Sequence, residues 1–136
     1  MLRMGKMTDY AFIILDVLAD NTERPLSAQA VSALSKLPEP TVSKILKILT
    51  KGNLIYSVRG AGGGYHLSKL VNEISVLDVL EAMEGRISMV ECIDSPHTCV
   101  VIENCPIQGR WNGINAVLRG ALSEWSLDDL KQGRAA

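Results

Sequence analysis

A glycine-rich segment between two short stretches typical of β-strands limits the folds that this chain can adopt. Residues 60–64 are Gly-Ala-Gly-Gly-Gly. Before them, the segment from Leu54 to Arg59 contains alternating apolar and polar residues, and Tyr65-His66-Leu67 follows them. β-Branched and aromatic residues on both sides of a glycine turn predict an antiparallel hairpin. Glycine also tolerates positive φ and lets the backbone approach a polyanion closely. We therefore predict a two-stranded hairpin with an exposed tip.

A first helix is predicted near the start of the chain. Apolar residues recur at helical spacing after Thr8, and the pattern ends near Asn21. Thr8 is the candidate N-cap, because a threonine hydroxyl can accept a hydrogen bond from a free amide of the first turn. We therefore expect a helix from about Thr8 to Asn21.

Two further helices precede the hairpin. Ser27 can cap a short helix that directs Ala30, Val31 and Leu34 inward. Pro38-Glu39-Pro40 then predicts a turn, because proline lacks an amide donor and biases the preceding residue to extended geometry. The third helix is expected from Thr41 to about Lys51. Two short helices joined by a tight turn are the outline of a helix-turn-helix.

Together with the hairpin, these helices predict a winged helix-turn-helix that binds double-stranded DNA. Hydroxyl and basic side chains on the third helix can meet base edges and phosphates, and an arginine at the hairpin tip can enter a minor groove. The alternatives are a solvated helix face and a hairpin tip without a ligand. A phosphate-binding loop is excluded, since no Gly-Lys-Ser/Thr follows the glycines. The candidate DNA-binding residues are Pro40, Thr41, Ser43, Lys44, Lys47, Arg59 and Gly60.

The second half of the chain predicts two more helices and a terminal turn. Ser75 can cap a helix from Val76 to Glu84, which Gly85 ends. A longer helix is expected from about Ile107 to Glu124, and Ser126 can cap a short turn that ends near Gly133. The long helix carries an apolar stripe of Trp111, Ile114, Leu118, Leu122 and Trp125. A stripe of this length favours a dimer seam over packing on its own domain.

Charge is distributed unevenly along the chain. Residues 1–70 contain nine Lys and Arg against five acidic residues, whereas residues 71–136 contain five against ten. We expect a DNA-binding domain at 1–70 and a regulatory and dimerisation part at 71–136, in a mainly α fold. No apolar run approaches the roughly 18 to 20 residues of a membrane span, so we expect a cytoplasmic protein without membrane contact. No nucleophile and base form a recognisable catalytic arrangement, which argues against an enzyme.

The three cysteines of the chain lie within fourteen residues, as Cys92, Cys99 and Cys105. An odd number of thiols cannot pair completely within one chain, and thiolates are soft donors suited to zinc and to iron-sulfur clusters. The spacing lacks the Cys-x-x-Cys pair of most zinc and redox motifs. Small apolar fillers, a metal site and an oxidisable thiol switch therefore remain open on spacing alone.

Taken together, the residues resemble the Rrf2 family of bacterial transcription regulators. The resemblance rests on the start Met1 to Ala11, on the wing Val58 to Tyr65 and on the three late cysteines. It is strongest to members that bind an iron-sulfur cluster and control cluster assembly (Suf) genes, and nitric-oxide sensors are close neighbours. It implies a homodimeric regulator, expected to be a repressor, whose [2Fe-2S] or [4Fe-4S] cluster is held by the three cysteines. Cluster loss would then alter the spacing of the two recognition helices.

The fourth cluster ligand is where the chain departs from this pattern. The family's cluster-assembly regulators have a histidine at the position of Gln108 and a glutamate at that of Ser43, so neither their ligand set nor their operator sequence is transferred. Nitric-oxide-sensing members resemble the Thr8-Asp9 start and use that aspartate from the partner chain. Asp9 is therefore the expected fourth ligand, with His97, Glu103 and Gln108 as alternatives. A Cys₃His zinc site with His97 is also chemically reasonable.

Overall fold

The computed structural model describes residues 2–133 and is mainly helical, as predicted. Within this range a two-stranded antiparallel sheet lies between the third and fourth helices. Two short 3₁₀ turns, Pro96–Thr98 and Ile102–Asn104, follow the fifth helix. The helices and strands are α1 (Lys6–Asp20), α2 (Ala28–Ser35), α3 (Glu39–Lys51), β1 (Ile55–Val58), β2 (Gly64–Leu67), α4 (Val76–Glu84), α5 (Glu91–Asp94), α6 (Arg110–Glu124) and α7 (Leu127–Gln132).

Three of the four predicted helix caps are present. The Ser27 hydroxyl accepts from the Ala30 amide, and Ser75 and Ser126 each form a reciprocal capping box with the aspartate three residues later. The prediction for Thr8 is wrong, because α1 begins at Lys6 and Thr8 lies inside its first turn. Its side chain is only 2% exposed and its hydroxyl donates to the Glu84 carboxylate of α4. Thr8 joins two helices instead of capping one.

One hydrophobic core includes residues of both predicted domains. Val31 is buried in this core from α2, whereas Leu34, predicted to point inward, is 54% exposed. An eight-residue helix has two turns, and here it buries a single side chain fully. Ile74, Val79 and Leu127 from the second half join the same cluster. The other buried members are Ala11, Ile14, Leu15, Leu18, Leu26, Val42, Ile45, Leu46, Leu49, Leu54 and Ile55.

The predicted hairpin is confirmed and is anchored to the helical body. In its register Ile55 pairs with Leu67 and Val58 with Gly64. The Leu26 amide donates to the Tyr65 carbonyl at 3.1 Å, and the Tyr65 amide donates to the Leu26 carbonyl at 2.8 Å. This reciprocal pair ties the second strand to the segment before α2. The position of the wing therefore depends on how closely the two backbones approach.

The long helix α6 begins at Arg110, three residues later than predicted, after Gly109 with φ of +76°. Its predicted stripe has the wrong phase at one position. Asn115, not Ile114, faces the body and is 5% exposed, whereas Ile114 is 53% exposed. Trp111, Leu118 and Leu122 are half-buried as part of the same face, and α6 packs on α4. Much of the opposite face, including Val117 at 75%, stays exposed.

Because the wing lies close to Leu26, we expect alanine substitutions at two of its glycines to differ in their effect on stability. Gly64 has φ of +156°, and a Cβ there would lie 2.4 Å from the Leu26 carbonyl carbon and oxygen. We expect Gly64→Ala to lower the free energy of unfolding, measured by urea denaturation, by about 1–3 kcal/mol. Gly62→Ala is the matched control, because a Cβ at Gly62 meets nothing within 4 Å. Equal stability of the two variants would contradict the described anchoring of the wing.

Candidate DNA-binding surface and cysteine loop

The turn between α2 and α3 is held by serines of α2. Lys36 adopts a left-handed conformation with φ of +62° and ends that helix. The Ser32 hydroxyl donates to the Leu37 carbonyl at 2.6 Å, and the Ser35 hydroxyl accepts from the Leu37 amide at 3.3 Å. These bonds satisfy both backbone groups of Leu37 within the turn. They define the angle at which α3 leaves the turn.

Helix α3 has one buried face and one polar face. Val42, Ile45, Leu46 and Leu49 are fully buried. Pro40, Lys44 and Lys47 are exposed, and Thr41 and Ser43 are half-buried. In the described part of the chain, neither Lys44 nor Lys47 has an ion-pair partner. Their ammonium groups are therefore free to meet phosphates.

The wing presents the remaining two candidate DNA-binding residues. Arg59 and Gly60 are exposed between the strands, and the Gly63 amide donates to the Gly60 carbonyl at 3.0 Å to close the turn. Behind the tip, the rings of Tyr56 and His66 face each other across the strands with centroids 5.6 Å apart. Such cross-strand aromatic pairs stabilise a hairpin. Arg59 thus lies at the tip of a hairpin that the Tyr56–His66 pair stabilises.

The three cysteines lie in the segment 85–109 between α4 and α6, which we call the cysteine loop. Cys92 lies in α5, Cys99 follows the first 3₁₀ turn and Cys105 follows the second. All three thiols are free and half-buried. The backbone hydrogen bonds of Ser95, Ile102 and Gln108, and of others in this stretch, are made to loop residues three or four positions earlier. The middle of the loop therefore has its own local structure.

Within residues 2–133, no three His, Cys, Asp or Glu side chains are arranged to hold a metal ion. The donor chemistry nevertheless fits an iron-sulfur cluster, because three unpaired thiols lie in one loop. His97, Glu103 and Gln108 are exposed in or beside the same loop. Asp9 is exposed in the first turn of α1.

The first residues of the cysteine loop bind to side chains of α4 and α6. The Ile87 amide donates to Glu81 Oε1 at 3.2 Å, and the Met89 amide donates to Asn115 Oδ1 at 3.1 Å. Arg119 of α6 forms an ion pair with Glu81 and donates to the Ile87 carbonyl at 3.5 Å. The hydrogen bond from Arg119 is the main cause of the lowered pKa of Glu81, which burial opposes.

Sequence reasoning missed Glu81, Asn115 and Arg119. The sequence does indicate a role for Asn115, because it lies four residues after Trp111 and three before Leu118. An apolar residue is expected at that position of the helix. A polar residue buried on an apolar helix face requires a hydrogen-bond partner. Nothing in the sequence distinguishes Glu81 and Arg119, because charged residues on helices usually face solvent.

Asp9 lies near the start of the cysteine loop in the same chain. A groove of about 670 Å³ is bordered by Asp9, Leu80, Ser88, Leu118 and Leu122 among other residues. The adjoining Glu84 accepts from the Gly5 amide at 3.0 Å and from the Thr8 hydroxyl. These bonds hold the N-terminus of α1 against the end of α4. Asp9 and the first loop residues therefore border the same groove.

None of the helices in residues 2–133 is long and apolar enough to cross a membrane.

A family model described as Rrf2, an iron-dependent transcriptional regulator, matches residues 4–133. Protein aau3 of Rhizobium meliloti is 30% identical, covering 98% of this chain and 87% of its own. The HTH-type transcriptional regulator IscR of Photorhabdus laumondii is 29% identical over 86% of this chain and 71% of its own.

Among solved structures, CymR (YrzC), the global cysteine regulator of B. subtilis, matches with a TM-score of 0.75 and 27% identity. The match covers 99% of this chain and 100% of that one. The family model, IscR and CymR are described as regulators and not as enzymes, in agreement with the sequence interpretation. The chain belongs to the Rrf2 family of DNA-binding transcriptional regulators.

Proposed function

We propose that the protein is a homodimeric repressor that binds operator DNA and senses iron-sulfur status, with Suf-type cluster assembly genes as its targets. The observation that carries the DNA-binding part is the polar face of α3 beside the wing. Lys44 and Lys47 lack ion-pair partners within the described residues, and Arg59 stands exposed at the tip of the wing. A protein that binds an operator acts where the chromosome lies, which gives the expected cytoplasmic location.

The sensing part of the proposal is supported by the donor set of the cysteine loop. Cys92, Cys99 and Cys105 would hold a [2Fe-2S] or [4Fe-4S] cluster, which would make the loop responsive to iron and oxidants. The thiols are free, and the loop between them makes mainly local hydrogen bonds. A thiol switch is the second candidate, since the same free thiols are open to oxidation. A zinc site with His97 is the third.

The exposed face of α6 supports the dimer. Ile114 and Val117 are more than half exposed on a fifteen-residue helix whose buried face is already used against α4. We assign this face to the α6 helix of a second copy, because a two-fold axis brings identical apolar patches together. Two chains then present two recognition helices and two wings to an operator with two half-sites.

Arg59 tests the DNA-binding part. A duplex selected by the protein from a random-sequence library serves as the probe. Arg59→Ala should weaken its binding by roughly 1–3 kcal/mol if the guanidinium enters a groove, and should reduce the salt dependence if it meets phosphate. Arg110→Ala, an exposed arginine on α6, is the control. Titration by fluorescence anisotropy at several salt concentrations that finds Arg59→Ala equal to wild type would rule out a DNA-contacting wing.

The colour of the protein tests the sensing part. Protein purified without oxygen from iron-replete cells should be brown and contain iron and acid-labile sulfide. Cys92→Ser, Cys99→Ser and Cys105→Ser should each abolish the visible absorption, because an alcohol does not replace a thiolate ligand. Stoichiometric zinc without iron would support the Cys₃His alternative, and colourless protein without metal would support the thiol switch.

Asp9 tests the fourth ligand and its chain of origin. If Asp9 ligates the partner's cluster, Asp9→Ala chains hold a labile cluster and Cys92→Ala chains hold none. A heterodimer of the two variants, purified through two different tags, pairs intact cysteines on one chain with intact Asp9 on the other. Ligation across the dimer restores one stable cluster per heterodimer, whereas ligation within a chain restores none. Decay of the visible absorption in air that matches the Asp9→Ala homodimer would exclude the cross-dimer role.

A further inference from the structure

Two backbone amides connect the cysteine loop to the helical body through side chains. The Ile87 amide is held by Glu81 of α4, and the Met89 amide is held by Asn115 of α6. From Ile93 to Gln108, the described backbone hydrogen bonds of the loop are made to other loop residues. Positions 87 and 89 are therefore the places where side chains of α4 and α6 hold the backbone of the loop.

The side chains that hold these amides also join α4 to α6. Arg119 and Glu81 form an ion pair in which both side chains are less than one-third exposed. Arg119 also donates to the Ile87 carbonyl, so that Ile87 is held through both of its backbone groups. Hydrogen bonds to charged groups in a partly desolvated position are stronger than neutral, exposed ones. Asn115 is buried and would leave the Met89 amide unpaired if replaced by an apolar residue.

The two helices lead to different parts of the molecule. Helix α4 packs on α1 and α3, and its Val79 belongs to the core that supports the DNA-binding helix. Helix α6 carries the exposed face assigned above to the dimer. A rearrangement at positions 87 and 89 thus acts at the joint between the DNA-binding body and the dimer helix.

We propose that Glu81, Asn115 and Arg119 are positioning residues that form a latch, which transmits the state of the cysteine loop to α4 and α6. None of the three is a candidate for contacting DNA or metal. The inference rests on the proposed sensing function. It assigns to these residues the step between the loop and the recognition helices.

Amide hydrogen exchange tests the latch on metal-free protein, independently of any cluster. The Ile87 and Met89 amides should exchange more slowly than the amide of Val100, which is fully exposed in the middle of the loop. Arg119→Gln should speed exchange at Ile87, and Asn115→Leu should speed it at Met89, each by roughly three- to tenfold. Lys131→Gln, which removes two unrelated ion pairs, with Asp16 and with Asp20, should change neither exchange rate. Unprotected amides at both positions in the wild type would overturn the latch.

Operator affinity tests transmission. The measured quantity is the ratio of the Kd values of iron-loaded and iron-free protein for the selected duplex. Glu81→Gln and Arg119→Gln should each bring this ratio close to one, the double variant should add little, and Arg119→Lys should retain part of it. Lys131→Gln should leave the wild-type ratio unchanged.

The outcomes separate the latch from the function on which it rests. A ratio that stays at the wild-type value in both single variants, even with lower thermal stability, overturns the latch as a transmitting element. A wild-type ratio of one overturns iron-dependent sensing, and the exchange experiment then still decides whether these side chains hold the loop. If Arg119→Gln does not fold, Glu81→Gln and Arg119→Lys provide the same comparison.

Discussion

The structure depends on the burial of one face of α3. Val42, Ile45, Leu46 and Leu49 are removed from water against the surrounding helices, and burying each aliphatic side chain contributes about 1.5–3 kcal/mol. Because that face is fixed inward, the residues at the other helical positions must face outward. The lysines of α3 are thus presented by the same packing that stabilises the fold. The proposed recognition surface and the buried surface that stabilises the fold are thus opposite faces of one helix.

Helix α4 connects the second half of the chain to the shared core. Its Val79 lies in the shared core, while Glu81 and Glu84 near its end hold the start of the cysteine loop and the N-terminus of α1. Two carboxylates one turn apart therefore bring Asp9 and the first loop residues to neighbouring places. The division at residues 70 and 71 remains a prediction, and the common core shows that the two parts are packed together.

Local patterns in the sequence predicted most of the fold. The caps at Ser27 and Ser75 and the glycine turn of the wing are short-range signals whose physical causes lie within a few residues. Thr8 was misread because a threonine in a first turn also serves as a buried donor, and its acceptor, Glu84, lies 76 residues away. The latch was missed for the same reason, since Arg119 and Glu81 are 38 residues apart. Among the candidate site residues, the exposure of Lys44 and Lys47 followed from helical periodicity, and that of Arg59 followed from the glycine turn. The arrangement of the three cysteines depends on a loop whose conformation has no periodic signal.

We expect the state of the cysteine loop to change the arrangement of the two proposed recognition helices. A spin label on p-acetylphenylalanine at position 51, the exposed end of α3, would report the distance between the two helices of a dimer without using the native thiols. Pulsed electron-electron double resonance on iron-loaded protein, and on the same preparation after anaerobic chelation of the iron, gives the two distance distributions. We expect one defined distance in the loaded dimer and a shifted or broadened distribution after chelation. Identical distributions in the two states would contradict it.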